Sequence, residues 1–168
     1  ITRAAVLYAI RVACGEDIPL NEGALEDVTI IIPRGMLAPD FSGPDTEHPA
    51  VAIGNTETSQ RVVDALLRVL NVSACSQGTM NNTLIGNDSF AYYETVCGGA
   101  GATPGLRGCD AIHTHMTNTR ITDPEILELR IPVLIEQFKI RKNSGGPGEF
   151  YGGDGVIRTL QALSPLSL

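Results

Sequence analysis

The 168-residue chain is short of several things that would decide its class at once. No apolar run approaches the ~18–20 residues needed to cross a bilayer, so no membrane-spanning helix is expected. Basic residues are scarce. Twelve Lys and Arg against 19 Asp and Glu leave a net charge of −7, with no basic stripe to neutralise phosphates, and nucleic acid is not expected as a partner. The four cysteines, Cys14, Cys75, Cys97 and Cys109, include no CxxC pair. They read as buried free thiols of a cytoplasmic protein rather than a disulfide framework. The sequence opens Ile1-Thr-Arg-Ala, with no methionine and no secretory pattern, and its first residues already read as helix. A segment of something longer is therefore expected. The glycosylation tripeptides Asn71-Val-Ser, Asn81-Asn-Thr and Asn87-Asp-Ser, with no such signal, read as coincidence.

Nucleotide-loop and nucleophile motifs are also missing. Cys97-Gly-Gly-Ala-Gly-Ala-Thr-Pro-Gly-Leu-Arg-Gly108 lacks the Lys-Ser/Thr of a Walker loop, and Pro104 stands where a dinucleotide fingerprint needs its third glycine. Gly148–Gly153 runs into Asp154 and fails the same test. Tight turns, or close approach of backbone to a ligand, account for these glycines, turns foremost. No Gly-x-Ser-x-Gly elbow occurs. Ser76-Gln-Gly-Thr-Met-Asn-Asn82 offers hydroxyls and amides with no general base beside them, which suits a binding surface or a turn.

What is present is a foldable chain. It is 43% hydrophobic and 18% charged, which opposes disorder and suffices for one domain with a core. Apolar residues nearly all round Thr2–Cys14 predict a mostly buried helix ended by Gly15. The β-branched run Val28–Ile32, closed by Pro33, predicts a strand, and the proline-rich residues 33–49 a surface loop. From about Glu57 to Leu70, Val62, Val63, Leu66, Leu67 and Leu70 form an apolar stripe. Thr56 is the expected N-cap, Asn71 the left-handed end, and Glu57 and Asp64 the solvated face. Short strands are expected around Thr83–Ile85 and Phe90–Val96. A wide-loop hairpin is expected from Val133–Arg141 and Gly155–Leu163, around Asn143-Ser-Gly-Gly-Pro-Gly. The expected class is α+β, with amphipathic helices packed on short, mainly antiparallel strands, in a single segment spanning residues 1–168.

The densest chemistry lies in His113-Thr-His-Met-Thr-Asn-Thr-Arg-Ile-Thr-Asp-Pro-Glu125, where two histidines, an arginine, an aspartate and five hydroxyl or amide side chains crowd thirteen residues. In an extended backbone His113 and His115 would share a face. Asp123-Pro124-Glu125 reads as a helix start, with Asp123 as N-cap and Pro124 in the first turn. The His113-x-His115 spacing suits a strand-borne zinc site, with Asp110, Cys109, Glu94 or Asp123 as a third ligand. Hydrogen-bonded structural histidines, or second-shell and substrate-binding roles, explain the pair as well.

Taken in order, Asp17-Ile-Pro-Leu-Asn-Glu-Gly, Gly54-Asn-Thr-Glu-Thr-Ser-Gln-Arg-Val-Val-Asp64, Ser76-Gln-Gly-Thr-Met-Asn-Asn82, Tyr92-Tyr-Glu-Thr, the His113–Glu125 segment and Tyr151-Gly-Gly-Asp-Gly155 resemble the hydantoinase B/oxoprolinase family. The resemblance covers essentially the whole chain. Family members are much longer, so an internal, C-terminal-side segment is implied. It also implies part of an ATP-dependent, cytoplasmic, oligomeric enzyme that opens 5-oxoproline or hydantoin rings. A hydantoinase A-type subunit or domain would use ATP to phosphorylate the amide oxygen, which converts a poor electrophile into one with a good leaving group. A related ketone carboxylase subunit, or a subunit-contact region without chemistry, is the alternative. His113 and His115 are the expected catalytic residues, and Asn118, Arg120, Asn81 and Asn82 the expected substrate-binding ones. ATP and a divalent metal are expected elsewhere in the full enzyme, with none bound by this segment, which is expected to be inactive alone.

Overall fold

The computed structural model describes residues 1–15 and 17–166. Helix α1 (Thr2–Cys14) stops where its sequence stops it: Gly15 adopts φ 66 and returns its N–H to the Val12 carbonyl. Only Ala5 and Ala9 of α1 are fully buried, so the helix is covered along one small-residue stripe rather than over most of its surface. Helix α2 (Ser59–Val69) is entered through a π-helical turn, Gly54–Thr58, in which the Ile53 carbonyl accepts from both Glu57 and Thr58. That wide turn moves the start of the α-helix past Thr56, the expected cap. Asn71 ends the helix at φ 55, as expected. Ala5, Ala9, Val63 and Leu67 form the core between α1 and α2.

Strands β1 (Asn82–Asn87) and β2 (Phe90–Thr95) make one antiparallel hairpin, and β3 (Val133–Ile140) and β4 (Val156–Ala162) a second. Between them lies α3 (Pro124–Arg130), capped by Asp123, whose Oδ1 accepts the Glu125 and Ile126 N–H groups at 3.0 and 3.4 Å. Ile85, Leu127, Ile131 and Val133 join both hairpins and α3 into a second core. The α+β class holds.

Three expectations fail for physical reasons. Val28–Ile32 forms no strand: among the described residues no strand pairs with it, and Ile31 is 85% exposed. Three of the four cysteines, Cys14, Cys75 and Cys109, are exposed; only Cys97 is buried, and burial raises its thiol pKa. The glycines are mainly not turn formers. A methyl group on Gly99 would overlap the Gly153 carbonyl, one on Gly101 that of Ala74, and one on Gly153 that of Cys109. Bare backbones pack face to face here, stitched by Ala100 N–H to Cys109 O (2.9 Å) and Gly153 N–H to Ala100 O (2.8 Å). Only the Thr103–Leu106 turn, with Gly105 at φ 84, fits the turn reading of that run.

Asp154 anchors the hairpin loop to this layer. Its carboxylate accepts N–H groups from Gly145 (2.8 Å), Ser144 (2.9 Å) and Asn143 (3.1 Å). Its own N–H donates to Asp110, which pairs with Arg107. The Gly145 N–H foremost, with the other two amides and Arg107, outweighs partial burial and holds this carboxyl below the ordinary aspartate pKa.

Candidate functional site

Two buried polar clusters flank a group of cavities that meet at Asn81. The first cluster grows from α2. Residues 60, 63, 64 and 67 follow i, i+3, i+4, i+7 spacing and turn inward together. Asp64 and Gln60 are thus buried, and the expected solvated face for Asp64 is corrected. Asp64 Oδ1 accepts the Ser76 N–H at 2.8 Å and the Ser76 hydroxyl at 3.2 Å, and it lies 3.0 Å from His115 Nε2. Burial pushes the Asp64 pKa up, but the His115 ring and the Ser76 donors outweigh it and hold the carboxyl below the ordinary aspartate range. An ionised Asp64 can only accept, so His115 Nε2 carries its proton. Gln60 donates to the Thr114 carbonyl (3.1 Å) and to the Thr117 hydroxyl, and accepts the Met116 N–H (3.2 Å). Thr114 Oγ1 reaches Ser76 Oγ at 3.2 Å.

This network explains why the two histidines are not parallel. Residues 114–117 form a turn, closed by Thr117 N–H to Thr114 O at 3.1 Å, with His115 at φ 54. His113 points elsewhere and donates Nε2–H to the Thr95 carbonyl at 2.9 Å. Asn118 and Arg120 are exposed and make no side-chain hydrogen bond among the described residues. No hydrogen bond among the described residues links the histidines to Asn118 or Arg120. Three of the four expected third zinc ligands are engaged elsewhere too, and the fourth, Cys109, is an exposed free thiol. Glu94 pairs with Arg158, Asp110 with Arg107, and Asp123 caps α3. Among the described residues no three His, Cys, Asp or Glu side chains converge on a metal position.

The second cluster was not read as a unit from the sequence. Glu94 on β2 and Arg158 on β4 form an ion pair with side chains 5% and 2% exposed. Arg158 Nη2 donates to the Thr122 carbonyl (3.0 Å) and to Glu94 Oε2 (3.3 Å). The same Oε2 accepts the Thr122 N–H at 3.1 Å and lies 2.6 Å from the Tyr92 hydroxyl. Arg158 Nε sits 3.0 Å from Oε1 but off the N–H direction, so that approach is Coulombic; Nη1 meets no acceptor among the described residues. The guanidinium also stacks over Phe138, 4.9 Å from its ring centre. Burial, then Glu94, raises the Tyr92 pKa. Tyr92 and Glu94 share a strand face at i, i+2, but their arginine is 64 residues away from Glu94 in sequence, and only the tertiary fold supplies it.

Asn81, held at φ 51, and Asn82 line two cavities together, of about 800 and 420 Å³. Asn81 alone continues into a third, of about 410 Å³, walled by the glycine layer. Asn82 accepts the Thr95 hydroxyl at 2.8 Å through Oδ1. Glu94, Arg158 and Tyr92 line the 420 Å³ cavity together with the apolar Ile85, Val96, Val156 and Leu160. A half-open cleft with apolar walls and a few converging polar groups is what a small-molecule site looks like.

A small mixed α+β unit, its glycine backbones layered beside a polar-tipped cavity, thus defines the class of structure. The chain belongs to the hydantoinase B/oxoprolinase family, whose model (Hydantoinase B/oxoprolinase) matches residues 1–168. It is 49% identical over 99% of its length to 5-oxoprolinase 1 of Arabidopsis thaliana. It is 48% identical over 96% of its length to a 5-oxoprolinase of Saccharomyces cerevisiae, and 46% over 97% to one of Dictyostelium discoideum. The chain spans only 13, 14 and 12% of those proteins, respectively. No solved structure matches.

Proposed function

We propose that this chain is part of an ATP-dependent hydrolase that opens 5-oxoproline or hydantoin-type rings, working with a hydantoinase A-type subunit or domain that uses the ATP. The observation that carries this reading is near-50% identity to proteins named 5-oxoprolinase across almost every residue. The half-open cavity beside Asn81 and Asn82 supports it, with room for a five-membered ring. In this reading ATP and any divalent metal are held outside this chain, and Asn81 and Asn82 contact substrate. His113 and His115 support that wall through Thr95 and Asp64. The four free thiols suit a reducing, cytoplasmic setting, and an oligomeric assembly accompanies the ATP-using partner.

The test is an assay of the full-length protein with its ATP-using partner, following glutamate release from 5-oxoproline and N-carbamoyl product from hydantoin. ATP-dependent opening of at least one ring is expected; opening of neither sinks the reading. In the same assay His115→Ala should lower the melting temperature while keeping turnover per folded molecule. A loss of roughly 10²–10⁴-fold in turnover at unchanged melting temperature would instead make His115 the proton carrier.

A further inference from the structure

The half-open 410 Å³ cavity beside the glycine layer has a wall with one sign of charge. The chain has a net charge of −7, yet no carboxylate lines this space, and Arg141 is its only charged side chain. Arg141 is exposed and pairs with no carboxylate among the described residues; its own N–H ties it to the layer through the Gly155 carbonyl at 2.8 Å. The backbone adds donors. The Gly98 carbonyl takes the Ile112 N–H and the Ala100 N–H reaches the Cys109 carbonyl, both at 2.9 Å. In an extended stretch successive residues face opposite ways, so Cys97 and Gly99 turn their N–H groups to the other side. The Gly99 N–H meets no acceptor among the described residues, and the Cys97 N–H meets only its own sulfur, although Cys97 is buried. Buried N–H groups without a good partner are rare, and one in a cavity wall points to a ligand that supplies the acceptor. The Ser144 hydroxyl accepts the Gly155 N–H at 2.9 Å and keeps its own hydrogen free. The carbonyls of Gly98, Gly146 and Gly155 already accept from Ile112, Gly152 and Arg141. Donors are therefore in excess. We infer that this cavity is an oxyanion site, in which a carboxylate or phosphate accepts from the Cys97 and Gly99 N–H groups, the Ser144 hydroxyl and the Arg141 guanidinium. A guanidinium holds either oxyanion through two parallel N–H bonds, and glycine lets the anion come close to backbone. Asn81 borders this cavity and the 420 Å³ one, which lets one ligand place its body in the second and its oxyanion in the first.

The site stands on this geometry; which group supplies the oxyanion rests on the ring-opening reading above. 5-Oxoproline brings a carboxylate of its own, whereas hydantoin acquires an oxyanion only when its amide oxygen is phosphorylated. The full-length protein is titrated calorimetrically, without ATP, with inorganic phosphate, with 5-oxoproline and with 2-pyrrolidinone, which is 5-oxoproline without its carboxylate. Ring opening is assayed separately. At least one of the two anions should bind saturably, and Arg141→Gln should weaken it by about tenfold or more at unchanged melting temperature. Arg130→Gln, which removes an exposed arginine outside the cavity wall, should leave that affinity unchanged and so separate the site from an effect of net charge. If the carboxylate is the group held, 5-oxoproline binds at least about tenfold tighter than 2-pyrrolidinone. If the phosphate is, the two lactams bind alike and inorganic phosphate shows the Arg141 dependence. No binding of either anion, near-wild-type affinity of both in Arg141→Gln, or an equal loss in Arg130→Gln overturns the site. A protein that opens a ring but gives one of those three results keeps the ring-opening reading and loses the site. Arg141-dependent anion binding in a protein that opens neither ring keeps the site and removes the ring-opening reading.

Discussion

At the scale of single residues, Gly153 is among the positions with least freedom to change. Its missing side chain lets the 151–154 segment lie on the Cys109 carbonyl, and a methyl group there would overlap backbone that cannot swing aside. Gly146, in the same loop region, has open space around the corresponding position. Gly153→Ala should therefore destabilise by more than the ~1–3 kcal/mol typical of overpacking, and Gly146→Ala should leave stability nearly unchanged. Urea unfolding of both variants checks this, and comparable midpoints would refute the backbone-layer account. The same scale shows where local reading misleads. Asp64 looks like a surface charge beside Val63, yet it is buried because Ser76 and His115 arrive from elsewhere to satisfy it.

Among the elements, α3 is the one written most completely in its own sequence. Asp123 caps it, Pro124 enters its first turn, and Leu127 buries its inner face. Asp123→Ala should cost about 1 kcal/mol, read as a lower denaturation midpoint, because two N–H groups lose their acceptor. A neutral result would mean that water replaces the cap freely. The β3–β4 hairpin was legible as a hairpin from its turn residues, whereas β1 and β2 were legible only as short strands whose pairing the fold supplied. The start of α2 was less legible, since a π-turn leaves no apolar period of its own.

The whole molecule is stabilised in part by carboxylates that must stay ionised. Asp64 and Asp154 both titrate below the ordinary aspartate value of ~3.9 when folded. As pH falls, the unfolded chain takes up protons first, at that ordinary value, and stability declines through the lower folded values. The contribution is complete above the ordinary range. Melting temperature should thus hold steady near neutrality and fall below about pH 4, and Asp64→Asn should show a shallower acid decline from a lower neutral value. An unchanged acid slope in that variant would remove Asp64 from the account. At this scale too, Ile31, Met36, Val69 and Leu129 stand more than four-fifths exposed.

The sequence by itself determined the local pieces: α1 and its glycine stop, α3 and its cap, the four strands and the β3–β4 hairpin, the α+β class, and the family through six ordered motifs. Periodicity, capping and turn chemistry act between residues a few positions apart, so a linear reading recovers them. Tertiary structure alone decided the rest. It withheld a partner from Val28–Ile32, separated His113 from His115 by a left-handed turn, and turned Asp64 inward. It brought Arg158 to Glu94 and let glycines 99, 101 and 153 touch backbone rather than bend it. The contacts that hold Asp64, the two histidines and the ion pair reach groups from 12 to 64 residues away, whose position is set by how the two cores pack. No window along the chain carries that information.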